Sequence, residues 1–308
     1  MSIVVIGATF VDIKGFPYDT YLPDGRNAGW IEYIHGGVAR NVAEDIANLE
    51  LRPTYVSIVD ESPLGVSVVD KLKRHKVNVD YVITRPDGLG TWLAVFDSNG
   101  DVAGSISKRP DMMPLVELLE EKGDEIFSKA ETVVLEVDID KELVKKVFKL
   151  AEKHGVKVCG LVSNMSIAVE RRDLLQRCYC FICNQQEAGL LFLEDYSETK
   201  LDEMELILRD KVKRAKIPAM IVTLGEKGAV FADCDGNTGK CPARKVQVKD
   251  TTGAGDAFCA GVAAGITYGK TIAESLEIGT VLAASVITSL DNVCPRFHPE
   301  EFGLQVSE

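Results

Sequence analysis

The chain has 308 residues, of which 46% are hydrophobic and 27% are charged, as is usual for a folded globular protein. Lys and Arg total 35 and Asp and Glu total 47, so the net charge of −12 disfavours nucleic acid and anionic membranes as partners. The N-terminus has no basic leader, and no apolar run approaches about 20 residues. We therefore expect no signal peptide and no transmembrane helix, and a cytoplasmic location.

Short apolar runs alternate with capped amphipathic segments along the chain. This alternation predicts an α/β fold, with a doubly wound, mostly parallel sheet and helices on both faces. The predicted strands are 3–6, 54–59, 132–137, 156–162, 179–183 and 219–224. The predicted helices are 37–49, 63–75, 140–154, 255–268 and 271–290.

Two segments interrupt the alternation, at residues 10–35 and 91–107. Both alternate apolar with polar residues and contain turn sequences such as Ser98-Asn99-Gly100, so we expect them to form one small β-sheet that acts as a lid. We find no internal repeat or long linker and expect one domain over 1–308. An exposed lid edge could pair with a second copy, which would give a homodimer.

Eight cysteines occur, three of them in the sequence CYCFIC as Cys178, Cys180 and Cys183. Three thiolates could bind a metal ion, but a structural zinc site uses four ligands, and no second pair of suitable spacing exists. The alternative is a buried strand in which reduced cysteines pack as small hydrophobic residues. The second interpretation is favoured.

The sequence DTTGAGDAF at residues 250–258 directly precedes an apolar helix. Gly253 and Gly255 leave the backbone amides of the turn free to converge on an anion at the positive end of the helix dipole. Asp256 lies in the first helical turn, where the dipole favours its ionised form and leaves a carboxylate able to accept a proton. An anion site beside a base is what phosphoryl transfer to a hydroxyl requires. A plain helix start with an acidic cap is the alternative.

Two other glycine motifs fit less well. A dinucleotide-binding fingerprint would need Gly or Ala at Phe258 and would follow the first strand. The stretch 265–271 resembles a Walker A loop, but only three residues separate its glycines where four are needed.

Polar residues near the first predicted helix form a second group. Gly36 and Gly37 would let a polyol approach the backbone, and Asn41 follows one turn later, although a helix cap explains the same residues. Asp12 ends an early strand, where a turn residue would also be polar. His35 adjoins the glycine pair and is the histidine most worth testing.

Two further motifs each follow a predicted strand. The sequence NQQE at 184–187 offers oxygen ligands that could hold Mg²⁺ through water. The sequence TLGEKG occupies 223–228. Either motif alone is equally well explained as a turn or a cap.

Taken in order, GG…N, NxxE, TLGxxG and DTxGAGD resemble the PfkB, or ribokinase-like, family of ATP-dependent sugar and nucleoside kinases. The resemblance extends from Asp12 to about Asn292. It implies a ribokinase-like doubly wound α/β fold with a β-sheet lid. It also implies a transferase that uses ATP and Mg²⁺ to phosphorylate a small-molecule alcohol.

The resemblance also implies a role for each matching residue. The catalytic group would comprise the base Asp256 with the amides of Gly253, Ala254 and Gly255. Substrate hydroxyls would be bound by Asp12, Gly36, Gly37, Asn41 and Glu136. The ATP site would be lined by Asn184, Thr223, Gly225 and Gly228. Metal ions would be held by Glu187, for Mg²⁺, and by Asp250 and Thr252, for a monovalent cation such as K⁺.

The acceptor depends on the lid. Its sequence, with TWLAVFDSNGDV and HGGVARNVAEDIANL, is similar to that of the pseudouridine kinase subgroup, which phosphorylates a 5′ hydroxyl. Ribokinase, another sugar kinase, or a non-catalytic sensor with this fold are the alternatives. Trp30, Trp92 and Tyr33 could stack on a base or pack against one another within the lid.

Overall fold

In a computed structural model, residues 2–305 form two β-sheets flanked by helices. The strands within this range are β1 (Ile3–Ile6), β2 (Phe10–Pro17), β3 (Gly29–Gly36), β4 (Thr54–Val59), β5 (Asn78–Thr84), β6 (Gly90–Phe96), β7 (Val102–Lys108), β8 (Thr132–Glu136), β9 (Lys157–Leu161), β10 (Cys180–Asn184), β11 (Ala219–Thr223), β12 (Ala229–Asp233) and β13 (Thr238–Cys241). The helices are α1 (Val38–Asn48), α2 (Pro63–Arg74), α3 (Pro114–Phe127), α4 (Lys141–His154), α5 (Met165–Ala168), α6 (Arg172–Leu175), α7 (Gln185–Phe192), α8 (Leu201–Ala215), α9 (Ala254–Thr267) and α10 (Ile272–Val286).

The larger sheet has the order β13-β12-β11-β10-β9-β8-β1-β4-β5. Its strands are parallel from β5 to β11, and β12 and β13 complete one edge in antiparallel orientation. In β1, Val4 and Ile6 pack into one hydrophobic core while Ile3 and Val5 pack into the other. Because successive side chains point to opposite faces, a continuous apolar run is what a strand covered on both sides requires. The predicted α/β class and parallel sheet are confirmed.

The smaller sheet has the order β3-β2-β6-β7 and forms the lid. In the central strand β2, Asp12 is opposite Ile34 on one side and Trp92 on the other, and these three residues share a face. The next residue, Ile13, is opposite Tyr33 and Leu93 on the other face. This register decides which lid residues face the carboxylate of Asp12.

Some predicted boundaries differ from those observed. The last predicted helix, 271–290, ends earlier, at Val286, and the chain turns through residues 287–292. Strands β5, β12 and β13 were absent from the expected elements. β5 and β13 are partly exposed and lack a long apolar run, whereas β12 is buried but has only four apolar residues. The stretch that resembles a Walker A loop joins α9 to α10, so it does not follow a strand.

The cysteine-rich sequence lies in and before β10, where Cys178, Cys180 and Cys183 are all buried. Burial raises the pKa of each thiol, which keeps it protonated. Among residues 2–305, no three His, Cys, Asp or Glu side chains converge as a metal-binding group. The burial of the three cysteines and the strand Cys180–Asn184 agree with the buried-strand interpretation. No helix in the described part of the chain is long and apolar enough to cross a membrane.

Candidate active site

The predicted site residues come together at one edge of the larger sheet. Strands β1, β8, β9, β10 and β11 are parallel, so their carboxyl ends meet there. Chain order reverses beside β1, whose neighbours are β4 and β8. In open α/β sheets, ligands bind in the crevice at such a reversal. The lid strands leave from and return to this edge.

Helix α9 begins at this edge with a turn that only glycine can form. Gly253 has φ +82°, and a Cβ there would overlap the carbonyl oxygen of Asn292. A Cβ on Gly255, by contrast, would meet no heavy atom within 4 Å. The first amides of a helix have no intrahelical acceptor. The amide of Ala254 donates to the carbonyl oxygen of Thr251 at 3.3 Å, and the open space at Gly255 leaves room for an anion beside the first turn of α9.

Asp256 lies in the same turn and is half-buried. Its Oδ2 accepts a hydrogen bond of 2.6 Å from Nδ2 of Asn41. Burial raises the pKa of Asp256 to about 6, and the hydrogen bond from Asn41 opposes this increase. Removal from water therefore has a larger effect on this pKa than the hydrogen bond from Asn41. At neutral pH the carboxylate is still mostly ionised and can accept a proton.

The amide of Asn41 has a fixed orientation. Its Oδ1 accepts hydrogen bonds from Nη2 of Arg40 and, at 3.4 Å, from Nδ2 of Asn292. Two donors on the oxygen leave the NH₂ group to face Asp256. Sequence reasoning missed Arg40, because nothing in a helix sequence marks a charged side chain that will be fully buried.

The two glycines before α1 make room for protein atoms. A Cβ on Gly36 would come within 2.7 Å of Oδ1 of Asp12, and a Cβ on Gly37, at φ +94°, within 2.7 Å of the carbonyl oxygen of Ala8. The glycine pair thus lets the carboxylate of Asp12 and the carbonyl of Ala8 lie close to the start of α1. From the sequence, a polyol was expected to approach the backbone at these glycines. Burial raises the pKa of Asp12, whose carboxylate is partly exposed at the site.

Glu136, at the end of β8, has both carboxylate oxygens engaged by the backbone. Oε2 accepts the amide of Ala8 at 2.8 Å, and Oε1 accepts the amide of Ala39, in the first turn of α1, at 3.1 Å. Burial, with the nearby charge of Asp138, raises its pKa above the ordinary value. Its direct contacts join three elements of the site, whereas contact with substrate hydroxyls was expected.

A cavity of about 270 Å³ adjoins Glu136. Its walls include Ala8, Phe10, Met112, Arg109 and Asp138. Nη2 of Arg109 lies 3.0 Å from Oδ2 of Asp138, which is fully buried. Sequence reasoning missed both residues, although Asp138 follows the same strand as Glu136 and carries the same signal of a polar group after a buried run.

Asn184 and Glu187 form a reciprocal cap at the start of α7. Oδ1 of Asn184 accepts the amide of Glu187 at 2.9 Å, and Oε2 of Glu187 accepts the amide of Asn184 at 2.8 Å. Burial raises the pKa of Glu187, and its charge acts on Asp256. One carboxylate oxygen of Glu187 stays available to a water of Mg²⁺. A single carboxylate oxygen of this kind suits an ion bound mainly through nucleotide phosphates and water.

The loop after β11 contains one open and one enclosed glycine. Gly225, at φ +54°, has open space where a Cβ would be, whereas a Cβ on Gly228 would overlap the carbonyl oxygen of Cys241. The carbonyl oxygen of Gly228 accepts the amide of Leu224 at 2.7 Å, which closes the turn. Thr223 thus lies at the carboxyl end of β11, Gly225 has open space beside it, and Gly228 shapes the loop that follows.

Asp250 and Thr252 lie in the loop before α9. Oδ1 of Asp250 accepts the amide of Thr252 at 2.8 Å. Burial would raise the pKa of Asp250, but hydrogen bonds from Thr252 and Thr251 outweigh it and lower the pKa. This carboxylate stays ionised, as a cation ligand must.

The lid aromatic residues mainly contact one another. Phe16 stacks on Trp30 at 5.1 Å and on Phe96 at 4.6 Å between ring centroids, and Tyr18 stacks on Trp30 at 5.8 Å. Tyr33 is on the lid face opposite to that of Asp12. Trp30 therefore packs against other lid residues, Tyr33 lies on the face opposite to Asp12, and Trp92 lies on the same face as Asp12.

His35 contributes its backbone to the site. Its carbonyl oxygen accepts Nη2 of Arg40 and, at 2.8 Å, Nδ2 of Asn292. The ring lies 3.2 Å from Oγ of Ser67 on α2. Burial and the charge of Arg40 lower the pKa of His35 to about 4, so the ring is neutral at physiological pH.

Comparisons with known proteins agree with this geometry. The model of the pfkB family of carbohydrate kinases matches residues 1–292. Guanosine-inosine kinase of Exiguobacterium acetylicum is 35% identical over 293 residues, covering 94% of this chain and 96% of that protein. Pseudouridine kinase of Escherichia coli is 25% identical over 279 residues, covering 89% and 87%. The structure of Arabidopsis thaliana ribokinase complexed with ribose and ATP has a TM-score of 0.86 at 22% identity and covers 99% of both chains. The chain therefore belongs to the PfkB family and is an ATP-dependent kinase of a sugar or nucleoside.

Proposed function

We propose that this kinase transfers the γ-phosphate of ATP to the 5′ hydroxyl of a purine ribonucleoside, with guanosine and inosine as preferred acceptors. The observation that carries the proposal is the cavity beside Glu136, which has both apolar and charged walls. A ribose alone would leave such a space unfilled. Guanosine-inosine kinase, at 35% identity over nearly the whole chain, supports the same class of acceptor.

The proposed chemistry uses the first turn of α9. The amides of Gly253, Ala254 and Gly255 hold the charge of the transferring phosphoryl group, and Asp256 takes the proton of the attacking hydroxyl. Asn41 keeps the Asp256 carboxylate in place through the 2.6 Å hydrogen bond. Mg²⁺ bound with the nucleotide, and held through water by Glu187, would neutralise phosphate charge.

Recognition of the base is proposed for Arg109 and its apolar neighbours. Nη2 of Arg109 already donates to Asp138 and Ser163, and an N–H group that remains free can donate to O6 of a 6-oxopurine, an acceptor that guanosine and inosine share. Adenosine presents an amino group at position 6 and loses this hydrogen bond. Phe10 and Met112 supply the apolar surface on which a base can pack. Asp138 holds the Arg109 guanidinium at this wall.

Pseudouridine is the second candidate. The sequence of the lid and the glycine pair is similar to that of pseudouridine kinases, and the Escherichia coli pseudouridine kinase is 25% identical to this chain. A uracil base is smaller than a purine and would leave part of the cavity to water. Ribose is the third candidate.

The test is a panel of guanosine, inosine, adenosine, pseudouridine, uridine and ribose, with ATP and Mg²⁺, in which release of ADP is followed and the product is identified by mass spectrometry. We expect the highest kcat/KM for inosine and guanosine. The variant R109M should lose the preference for inosine over adenosine, because it cannot donate to O6. A highest kcat/KM for pseudouridine or ribose would contradict the purine proposal and leave the kinase class in place.

We also propose a homodimer through the outer face of the lid. Tyr33, Leu93 and Ile106 are 58%, 42% and 70% exposed, and the strand register places them in one apolar row. Contiguous exposed apolar surface of this kind marks an interaction site. Light scattering should give the mass of a dimer for the wild type and of a monomer for I106K. A wild-type monomer at micromolar concentration would contradict this.

A monovalent cation at Asp250 and Thr252 is a further proposal. An ionised Asp250 beside the α9 turn could ligate K⁺ and so hold the loop in place. We expect kcat to be higher in KCl than in choline chloride of the same ionic strength. Equal rates in the two salts would contradict the proposal.

A further inference from the structure

Arg40 is a fully buried arginine beside the α9 turn. Its side chain has no exposed surface. Nε donates to the carbonyl oxygen of Gly36 at 3.2 Å, and Nη2 donates to the carbonyl oxygen of His35 and to Oδ1 of Asn41. One guanidinium thus holds the last residues of β3, the glycine pair and the amide that faces Asp256.

The positive charge of Arg40 also acts on Asp256. The groups whose charges act on Asp256 come from three elements packed around it: Asp12 on β2 and Glu187 on α7 are acidic, and Arg40 on α1 is basic. A fourth, Asp45 on α1, is fully buried, and its own pKa is raised well above the ordinary value, first by burial. Arg40 is the basic residue whose positive charge opposes these acidic side chains and lowers the pKa of Asp256.

We propose that Arg40 is a positioning residue for phosphoryl transfer: it orients Asn41 toward Asp256 and supplies the buried positive charge that keeps the base ionised. The proposal rests on the assignment of Asp256 as the base. Arg40 does not contact the reacting atoms; it acts through Asn41 and through its charge. Arginine suits this position because its planar fork serves several acceptors at once.

Arg40 is paired with the buried carboxylate of Glu44, and this pair determines which variants can test the proposal. Nη1 lies 2.6 Å from Oε2 of Glu44, which is also fully buried, and Oε1 of Glu44 lies 2.8 Å from Nζ of Lys71 on α2. Removing Arg40 alone would leave a buried carboxylate short of its main partner and would endanger folding. The double variant R40M/E44Q removes both charges with little change in volume and avoids this problem.

The experiment compares wild type, R40M/E44Q and R40K by circular dichroism, thermal melting and the pH dependence of kcat/KM for the acceptor. In folded R40M/E44Q we expect kcat to fall about 10²-fold through misorientation of Asn41, and the acidic limb of the profile to move up by about one unit. R40K keeps the charge and loses the fork, so its limb should stay in place while kcat falls. The control variant R177M/E152Q removes an Arg–Glu contact of 2.7 Å at the surface. Its kcat and the acidic limb of its pH profile should match those of the wild type.

An unmoved acidic limb in folded R40M/E44Q would overturn the proposal. If the double variant does not fold, R40K decides, because a wild-type kcat in R40K would overturn the role of the fork. D256N serves as the reference. If D256N keeps full activity, the assignment of the base is wrong; if D256N is inactive and the Arg40 variants behave as wild type, only the role of Arg40 is wrong.

Discussion

Helices α1 and α9 begin in the same way and end up with different roles. Each starts at a glycine with positive φ, Gly37 at +94° and Gly253 at +82°, and each lies at the carboxyl edge of the sheet. In α1, an amide of the first turn is taken by the buried carboxylate of Glu136. In α9, the space over Gly255 is open. A helix N-terminus offers free N–H donors in either case. A neighbouring acidic side chain of the protein decides whether those donors serve the fold or a ligand.

Of the substitutions that distinguish the two turns, one that fills the open turn of α9 should have the largest effect. G255V adds side-chain atoms where the phosphate would bind, at a position whose backbone conformation accepts any residue. We expect kcat/KM for ATP to fall by about 10² to 10³-fold, as when one transition-state donor is lost. Turnover kinetics at saturating acceptor would measure this, with an unchanged melting temperature as the control. Wild-type kinetics in a folded G255V would mean that the phosphate binds elsewhere.

The acidic limb of activity follows from the burial of Asp256. Its raised pKa of about 6 means that the base gains a proton as the pH falls through 6. We expect kcat/KM for the acceptor to fall about tenfold for each pH unit below that value. A profile that stays flat down to pH 5 would contradict the assignment.

The closed turn should respond through stability. G37A would force a side chain into a positive-φ conformation and toward the carbonyl oxygen of Ala8, at a cost of about 1 to 3 kcal/mol in the free energy of unfolding. Urea denaturation measures this cost. G255A is the matched control, since its Cβ meets nothing within 4 Å and should leave stability unchanged or slightly increased. If G37A and G255A changed the free energy of unfolding equally, the contrast between the closed turn of α1 and the open turn of α9 would be wrong.

Glu136 gives the smallest expected effect, in the pH dependence of stability. Burial raises its pKa above the ordinary value of 4.5, so the folded protein keeps a proton that the unfolded chain releases above that pH. The contribution of this group to stability is therefore lost as the pH rises beyond about 4.5. The difference in free energy of unfolding between wild type and E136Q should shrink from pH 5 to pH 7.5. Parallel curves would show that Glu136 does not titrate in this range.

The sequence predicts the strands of the sheet well, for a physical reason. Strands such as β1, β8 and β11 are covered on both faces, so each contains three or four consecutive apolar residues that carry the signal. The start of α9 is equally readable, because its turn needs Gly253. Strand β5 is partly exposed and carries no such run.

The supporting residues could not be predicted in the same way. Asp138 is buried against Arg109, 29 residues away in the chain, and sequence alone does not indicate such a partner. The partners of Arg40 lie within five residues, but a charged residue four positions from Glu44 is as common on an exposed helix face, so its burial is not predicted by that spacing. Conversely, Glu136 and Gly36 were expected to meet substrate, and each directly contacts other parts of the protein. A polar residue at a strand end marks the site, while its hydrogen-bond partners determine its role.

The most direct test of the account is the turnover of D256N with ATP, Mg²⁺ and the best acceptor of the panel. Asparagine has nearly the same shape as aspartate but cannot take up the hydroxyl proton, so we expect the fold and the binding of ATP to persist while kcat falls by about 10² to 10⁴-fold. A folded D256N that phosphorylates the acceptor at the wild-type rate would contradict the central claim that this carboxylate is the base.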